Sequence, residues 1–540
     1  MRKILIIATL VICSSCSTLI INQGYKNYKS DIVKSEKYKK ANKFQQDLLY
    51  LDNLCANTFP NIDSVFPQHK RTAIVDSLMN LLTDKQVNQQ IFSGYLYLYL
   101  SHFENQHTRL EKSGLQSKML FPYILYFIND DWFLININQE YDSLLIGKKV
   151  IEINNKTIEK IEKSLSQYVF AENDICKRKE INKFINRPDL LRQWGIIDQT
   201  DSVSISFETG EKIWVKSISK DSDIHFHLSE NQFIPNPITK YVKHHYNIAL
   251  YPNENYAYFQ YNKCFDQIDV NETMHEYLKP WIVPFAKMFM NHNIKKKNAK
   301  KIRGYVDVDR PIFKDYLRVM FDSIQRQGIG NLIIDLRNNG GGSSLLCTQL
   351  LYYLTEKEDL KDFSNMYYPS DYQRQIDFAK YKRFMKSYQL KTKANPEKGK
   401  LYPNGFLNCD SLLFEKIEDQ TSPYYIPKNR TVFKGKIIVL ANFNTGSAAA
   451  LFTTLLQDNN IATIIGTSVS NNPVGASSLG PFKLPKSKYT GSVAPDYLIR
   501  PNPTIGKIQI PDYWIENSVD DLLNKRDKPF EKAIELINMK

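Results

Sequence analysis

Buried strands alternate with helical segments through the C-terminal half of the chain, and this alternation constrains the fold more than any other feature. NLIIDLR at 331–337, KIIVLAN at 436–442 and IATIIG at 461–466 are predicted strands, and the first two lead into stretches with helical spacing. Strands that alternate with helices favour a mostly parallel sheet covered by helices. We therefore predict an α/β core over residues 240–540, with an insertion at about 356–434.

The length of the chain requires further folded units before this core. The chain has 540 residues, whereas single cores stop growing beyond roughly 250–300 residues. Apolar residues recur at helical spacing over 41–112, which predicts a helical N-terminal domain. Residues 113–235 are predicted to form a PDZ-like β-rich module with a helical insertion, because KVIEI, a turn at Asn154-Asn155 and a helix follow in PDZ order. Any strand–turn–helix unit would give the same pattern and remains the alternative.

The N-terminus has the pattern of an export signal. Two basic residues precede an apolar run at 4–12, and small residues lead to Cys16. The run is too short to span a bilayer. We expect residues 1–16 to be a lipoprotein signal and 17–40 a tether to a lipid bilayer. This predicts an exported protein, a periplasmic or outer-membrane lipoprotein of a Gram-negative bacterium; an ordinary cleaved signal is the alternative.

Charge and cysteine usage point away from several classes of function. The formal net charge is +14, but the lysines are scattered apart from the run at 295–301, and no nucleic-acid-binding signature accompanies them. We expect no nucleic-acid partner. The cysteines that follow Cys16 are widely spaced, and His225 and His227 lack further ligands nearby in sequence. We therefore predict no metal and no organic cofactor.

A glycine-rich turn follows the strand at 331–337. Its sequence is NNGGG, and Gly340 and Gly341 lie in the turn that leads into the next predicted helix. Glycines allow backbone N–H groups to come close to a ligand and to point at a negative charge. A plain tight turn between a strand and a helix is the alternative reading of this segment alone.

A serine opens the helix after the strand at 436–442. Ser447 follows a short Asn-Thr-Gly turn, and its hydroxyl is expected near the positive end of the helix dipole. The N–H of Ala448 has no partner within the helix, so it can stabilise an oxyanion. A helix-capping serine is the ordinary role at this position and is the alternative.

Taken together, these two segments resemble the tail-specific (C-terminal processing) serine peptidase family, which includes the tricorn core. That family pairs a strand–DLRxNxGG turn with a second strand that leads to a serine at a helix start; here the likeness covers roughly 240–540. The resemblance implies a ClpP/crotonase-like α/β core with Ser447 as nucleophile. It also implies an oxyanion hole formed by the amides of Ala448, Gly340 and Gly341.

The chain departs from the family where the catalytic base is concerned. Members with a Ser/Lys pair carry a lysine after the third strand, and the matching residue here is Asn472. Other members, of the tricorn type, use a histidine in an Asp-x-His-Thr stretch, which NQHT at 105–108 matches except at Asn105. The resemblance is therefore closer to the Ser/His branch and predicts His107 as the base. A surface or helix-capping histidine is the alternative.

These features predict an exported serine endopeptidase that cleaves polypeptides by acyl-enzyme chemistry. The PDZ-like module predicts that substrates are engaged through their C-termini. The sequence does not assign the carboxylate that orients His107, since Glu104, Glu516 and Glu531 have no distinguishing context. The alternative function is a catalytically inactive peptide-binding lipoprotein on the same fold.

Overall fold

The computed structural model describes residues 28–228, 245–266, 268–269, 271, 283–284, 312–356, 359–397, 399–403 and 414–539. Cys16, the predicted signal and the lysine run at 295–301 lie outside the described residues. Among the residues described, no helix is long and apolar enough to cross a bilayer.

The helices lie in three groups along the chain. They are α1 (Glu36–Lys40), α2 (Lys43–Ala56), α3 (Ile62–Val65), α4 (Gln68–Leu81), α5 (Gln89–Ser101), α6 (Ile158–Ser166), α7 (Asp174–Ile181), α8 (Pro188–Gln193), α9 (Phe313–Arg326), α10 (Ser344–Leu354), α11 (Asp371–Ile376), α12 (Phe378–Thr392), α13 (Phe414–Glu418), α14 (Ala448–Asp458), α15 (Val519–Leu523) and α16 (Lys528–Asn538).

The strands begin after the first helical group. They are β1 (Arg109–Lys112), β2 (Met119–Leu120), β3 (Tyr123–Ile128), β4 (Asp131–Ile137), β5 (Val150–Ile153), β6 (Lys156–Thr157), β7 (Ser202–Phe207), β8 (Lys212–Lys216), β9 (Ile218–Ser219), β10 (Tyr246–Tyr251), β11 (Tyr256–Tyr261), β12 (Asn331–Asp335), β13 (Ser364–Tyr367), β14 (Tyr402–Pro403), β15 (Lys436–Ala441), β16 (Thr463–Gly466), β17 (Gly475–Ser477), β18 (Gly480–Lys483), β19 (Thr490–Val493), β20 (Asp496–Ile499) and β21 (Tyr513–Trp514).

The core of the C-terminal half is a six-stranded sheet in the order β10-β11-β12-β15-β16-β21. Only the β10–β11 pair is antiparallel, so the prediction of a mostly parallel α/β core is confirmed. Every residue of β12 is buried, because helices cover both faces of the sheet. One face packs on α9, α10 and α14, and the other packs on α16.

The amphipathic pattern of α9 shows how the sequence builds this core. Its buried residues Phe313, Leu317, Phe321 and Ile324 recur three or four positions apart, so they form one apolar stripe. The stripe belongs to the same apolar cluster as the central strands. Parallel strands place their carboxyl ends at one edge of the sheet, so the loops after β12 and β15 meet there.

The N-terminal region up to Ser101 is helical, as predicted, and packs against a distant part of the chain. Apolar residues of α2 and α5 form one cluster with Phe482, Leu484 and Val493. The strand β1 then pairs antiparallel with β19, with Arg109 opposite Ser492. This pairing is what carries the segment just before β1 to the C-terminal half.

Between these regions, residues 119–219 form several small sheets around their own apolar cluster. One sheet has the order β6-β5-β7-β8, and α6 packs beside β5 and β6. The helices α7 and α8 occupy the predicted helical insertion. The β-rich character of this region is therefore confirmed, whereas nothing in the strand order singles out a PDZ domain.

The insertion predicted at 356–434 has a structure of its own. It supplies β13 and β14, which join β20 and β17 in a second sheet of order β14-β13-β20-β17. The helices α11, α12 and α13 also lie in this insertion. It is thus attached to the core through strand pairing, which its polar sequence did not indicate.

Candidate active site

Ser447 stands in a strained turn between β15 and α14. Its backbone has φ 48° and ψ −126°, a conformation that residues with a side chain rarely adopt. Strained turns of this kind, between a strand and a helix, expose a serine hydroxyl at the start of the helix. The strain is held in place by Asn471, whose Oδ1 accepts the Ser447 N–H at 2.6 Å.

The hydroxyl of Ser447 does not cap the helix that it precedes. The residue occupies the N-cap position of α14, but its side chain makes no capping hydrogen bond. Helix capping is the usual role of a serine at this position. Capping therefore does not explain why Ser447 is a serine. Ser447 instead lines an open pocket of about 490 Å³.

Gly341 comes into direct contact with the turn that holds Ser447. A Cβ added to Gly341 would lie 2.6 Å from the carbonyl oxygen of Gly446 and 2.6 Å from the Cβ of Ser447. Gly341 also has φ +98°, which favours glycine. The two loops therefore meet only because this residue has no side chain.

The three amides proposed for the oxyanion hole differ in their bonding. The N–H of Gly341 donates to Asn339 Oδ1 at 2.9 Å and is already occupied. Hydrogen bonds within the described part of the chain leave the N–H groups of Ala448 and Gly340 without a partner. These two amides are the ones that remain available to a developing negative charge.

His107 lines the same pocket as Ser447, Gly340 and Gly446. The pairing of β1 with β19 brings it there, and the hydroxyl of Ser492 donates a hydrogen bond to the His107 carbonyl oxygen. Its imidazole is 15% exposed, and the Nδ1 atom is buried with no hydrogen-bond partner among the described residues. A ring nitrogen left this way is costly unless a partner is near.

A carboxylate that the sequence did not single out lies beside this imidazole. Glu172 Oε1 is 3.8 Å from His107 Nδ1, and the Glu172 side chain is 7% exposed. It precedes α7 in the helical insertion, where an acidic residue next to the capping Asn173 is unremarkable in sequence. Only the tertiary structure identifies it.

The departure at Asn105 has a physical reason in this network. Its Nδ2 donates to Glu172 Oε1 at 3.2 Å and to the Ala476 carbonyl at 2.8 Å, and its Oδ1 accepts the His107 N–H at 3.0 Å. An aspartate at this position would place a second negative charge against Glu172, which is unfavourable. The amide is therefore the compatible residue.

The departure at Asn472 is explained in the same way. Its N–H donates to Glu172 Oε2 at 2.7 Å, and its Nδ2 donates to the Glu172 carbonyl at 2.7 Å. The position that was predicted to lack a lysine therefore holds an asparagine, and this asparagine fixes Glu172. Lys483 and Lys486, further along the chain, do not line the pocket that contains Ser447.

Two lysines do line this pocket, namely Lys179 and Lys183. Lys183 forms an ion pair with Glu180 at 2.5 Å. Burial lowers the pKa of Lys179, with smaller opposing effects from Cys176 and Glu180. Lys179 is therefore a second group near Ser447 that has a reason to lose its proton more easily than an ordinary lysine.

The DLR sequence after β12 serves the framework of the site. Arg337 bonds to Asp335 at 2.7 Å and to Asp527 at 2.6 Å, and all three side chains are buried. Burial alone would raise the pKa of Asp335, but the Arg337 guanidinium holds that pKa below its usual range. The pair fixes the end of β12, from which the glycine turn departs.

The other carboxylates considered from the sequence lie elsewhere. Glu104 is exposed, and Glu531 pairs with Lys528 at 2.8 Å on the surface. Glu516 lines a separate cavity with Arg337, where burial raises its pKa. None of the three lines the pocket of Ser447.

Two other histidines have local roles. His102 Nδ1 bonds to the Leu98 carbonyl at 2.7 Å, and its ring stacks on Phe66. His227 Nε2 bonds to the Tyr141 carbonyl at 2.7 Å. Within the described ranges, no group of three or more potential metal ligands comes together.

Comparisons with known proteins bear on the family and on the fold. Residues 303–491 match peptidase family S41. No curated protein has a significantly similar sequence. Among solved structures, mature CPAF is 14% identical with a TM-score of 0.58, covering 93% of this chain and 96% of its own, and mature CPAF complexed with lactacystin has the same identity and TM-score over 93% and 98%.

A weaker match is the photosystem II D1 C-terminal processing protease. It is 11% identical with a TM-score of 0.35, covering 88% of this chain and 94% of its own. At such identities the likeness to CPAF shows the fold, and the family match carries the chemistry. The segment matched to the family contains both the glycine turn and Ser447. The chain is accordingly a serine-type peptidase, and its residues 303–491 are similar to peptidase family S41.

Proposed function

We propose that this protein is an exported, lipid-anchored endopeptidase that cleaves polypeptides by acyl transfer, with Ser447 as nucleophile and His107 as general base. The observation that carries the proposal is the strained, uncapped Ser447 in a pocket shared with His107. Acyl transfer needs a nucleophile, a base and an oxyanion hole. Each of these has a candidate at this one place.

The first chemical step is attack on the substrate carbonyl. His107 takes the proton of the Ser447 hydroxyl, and the serine oxygen forms a bond to the carbonyl carbon. The carbonyl oxygen becomes negative and is stabilised by the free N–H groups of Ala448 and Gly340. His107 then gives its proton to the leaving amine as the C–N bond breaks.

Water completes the cycle at the same centre. With the amine gone, His107 removes a proton from a water molecule, which attacks the acyl-enzyme at the ester carbon. The serine oxygen leaves and takes the proton back from the imidazole. These steps use no metal or organic cofactor. The serine proton leaves on the amine, and the proton taken from water restores the Ser447 hydroxyl.

Lys179 is the alternative base for the same reaction. Its lowered pKa and its place in the pocket favour it, while two contacts favour His107. Gln106, the neighbour of His107, accepts a hydrogen bond from Asn471 at 2.8 Å, and Asn471 in turn binds the Ser447 N–H. The side chains of Gln106 and Asn471 therefore connect the segment that bears His107 to the backbone of Ser447.

The substrate is proposed to be a polypeptide held by its C-terminus. This rests on the PDZ-like order of strand, turn and helix at β5, β6 and α6. A carboxylate-binding module would give tighter binding to a free-acid peptide than to its C-terminal amide. Equal affinities for the two peptides in calorimetry would leave the module as a spacer.

Export and anchoring are proposed from the signal pattern that ends at Cys16. Expression of the full chain in a Gram-negative host should place the protein in the membrane fraction. Cys16→Ser should release it or leave it unprocessed. A soluble wild-type protein that keeps residues 1–16 would contradict the proposal.

Hydrolysis of an unfolded polypeptide tests the catalytic assignment. The wild type should degrade it, whereas Ser447→Ala and His107→Ala should both be inactive, because members of one catalytic unit do not act additively. Lys179→Met should retain turnover if His107 is the base. Activity in His107→Ala together with inactivity in Lys179→Met would assign the base to Lys179 instead. A folded wild type that binds peptides without cleaving them would favour the peptide-binding alternative.

A further inference from the structure

Glu172 makes hydrogen bonds on both sides of its carboxylate. Its Oε1 accepts the N–H of Gln106 at 3.3 Å and an N–H of Asn105 at 3.2 Å, both in the segment that bears His107. Its Oε2 accepts the N–H of Asn472 at 2.7 Å, from the loop after β16. The carboxylate is thus fixed relative to the base segment and to this loop.

The same network reaches the nucleophile through Asn471. Its Nδ2 donates to Glu172 Oε1 at 3.3 Å and to Gln106 Oε1 at 2.8 Å. Its Oδ1 accepts the N–H of Ser447 at 2.6 Å. One amide side chain therefore connects the backbone of Ser447 to the carboxylate beside His107.

The unpartnered Nδ1 of His107 is the observation that assigns a role to this carboxylate. Nδ1 is buried, and Glu172 Oε1 lies 3.8 Å away. Catalytic hydrogen bonds are often long before substrate binds and tighten afterwards. A movement of less than about 1 Å would let Nδ1–H donate to Glu172 within ordinary hydrogen-bond range.

We propose that Glu172 is the positioning residue of the catalytic histidine: it holds the proton on His107 Nδ1, directs Nε2 toward Ser447 and stabilises the imidazolium formed during attack. This inference rests on the proposed function of His107 as base. In this role Glu172 acts through His107 and not on the substrate. Asn472 stands where other branches of the family carry a lysine. Its role is then to donate hydrogen bonds to Glu172.

A purely structural role for Glu172 would also explain its hydrogen bonds, so the test must separate the two. Glu172→Gln removes the charge with little change in size. A positioning role predicts that kcat falls on the order of a hundredfold, while KM changes little. Because an opposite charge favours the imidazolium, the acid limb of the kcat/KM profile should also move to lower pH.

Glu172→Asp is the second variant, because glutamine has one accepting oxygen and therefore cannot satisfy the donors on both sides of the carboxylate. It retains the charge but shortens the side chain. We expect kcat to lie between those of the wild type and Glu172→Gln, with the acid limb at the wild-type position. If Glu172→Gln does not fold, a displaced acid limb in the folded aspartate variant overturns the proposal.

Asp174→Asn is the matched control. Asp174 lies two positions away and is exposed, and its ion pair within the described part of the chain is with Lys177, at 3.2 Å on the same helix. Its kcat and pH profile should equal those of the wild type. The other charged groups of the pocket, Arg109, Lys179, Glu180 and Lys183, are unchanged in all three variants.

The outcomes distinguish this inference from the proposed function beneath it. If Glu172→Gln is folded and keeps the wild-type kcat and pH profile while His107→Ala is inactive, Glu172 is not the positioning residue and the Ser447–His107 assignment stands. If His107→Ala is as active as the wild type, the proposed base is wrong. A loss of melting temperature in Glu172→Gln with an unchanged kcat would assign Glu172 a structural role and overturn the proposal.

Discussion

Asn471 stabilises the backbone of Ser447 in a conformation that serine rarely adopts. The 2.6 Å hydrogen bond from the Ser447 N–H to Asn471 Oδ1 accompanies φ 48° and ψ −126°. Such strain costs about 1–3 kcal/mol and persists only where surrounding contacts impose it. Here it occurs at a residue that lines the same pocket as His107.

This strain predicts opposite effects on activity and stability. Ser447→Gly and Ser447→Ala should both abolish hydrolysis. The glycine variant should be more stable than the alanine variant by about 1 kcal/mol, because glycine adopts this backbone conformation freely. Thermal unfolding of the two inactive variants measures the difference. An alanine variant that is the more stable one would show that the turn is not strained.

The contact between Gly341 and Ser447 predicts the next effect. Gly341→Ala places a Cβ within 2.6 Å of two atoms of the serine turn, so the loops must separate and the oxyanion amides move. Losing one donor typically costs a hundredfold or more in kcat, and we expect at least about that loss. Peptide hydrolysis by the folded variant measures it.

Gly506→Ala is the control for backbone strain alone. Gly506 also has a positive φ, of +105°, but an added Cβ would meet nothing within 4 Å. Its activity should be close to that of the wild type. Full activity in Gly341→Ala would mean that the close approach of the loops is not needed for catalysis.

The buried ion pairs of Arg337 predict that its substitution strongly lowers the free energy of unfolding. Arg337→Met leaves Asp335 and Asp527 buried without their cation, and breaking a buried pair in this way costs about 3–5 kcal/mol. Arg526→Met removes the ion pairs of a half-exposed guanidinium with Asp520 and Asp521, and should cost less than Arg337→Met. Chemical denaturation at neutral pH compares the two.

The pH dependence of that effect has a definite sign. The pKa of Asp335 is lowered in the folded state by Arg337, against the effect of burial. The stabilisation from the pair is therefore present above the usual aspartate range and is lost as the pH falls below it. The gap between wild type and Arg337→Met should narrow on acidification; a constant gap would contradict the assignment.

Asp269 predicts the reverse behaviour. Burial, reinforced by Asp266, raises the pKa of Asp269 to about 6. A raised carboxylate pKa gives stability that is complete below the unfolded value of 3.8 and is lost as the pH rises through about 6. Asp269→Asn should therefore melt at a higher temperature than the wild type at pH 7.5 and at the same temperature near pH 4.

The surroundings of Asp269 accommodate this change. Tyr424 donates to its Oδ1 at 3.2 Å, and that hydroxyl can turn to accept from an amide instead. Asp223→Asn is the control, because Asp223 is exposed, and it should leave the melting temperature unchanged at both pH values. An Asp269→Asn variant that is less stable at pH 7.5 would show that the carboxylate is needed in its charged form.

Sequence patterns predicted the parts of this molecule that depend on neighbouring residues. The strands β12, β15 and β16 are short runs of apolar residues. A parallel strand that is buried on both faces requires such a run. The turns before Gly341 and Ser447 could be predicted from the sequence, because tight turns favour particular residues such as glycine and asparagine. These are local signals.

The rest of the site depends on contacts between distant segments. Glu172 lies in a polar insertion, and its partners Gln106 and Asn472 are far from it in sequence. No periodicity or spacing connects them, since the connection arises from β1 pairing with β19. The occupied amide of Gly341 is likewise invisible in sequence, because it depends on where the Asn339 side chain points.

The central claim is that Ser447 is a nucleophile activated within this pocket, and covalent labelling tests it most directly. The wild-type protein should react with a fluorophosphonate, and mass spectrometry of the digest should find one adduct, on the peptide that contains Ser447. The folded Ser447→Ala variant should take up no label. Equal labelling of the variant and the wild type, or an adduct on another residue, would contradict the account.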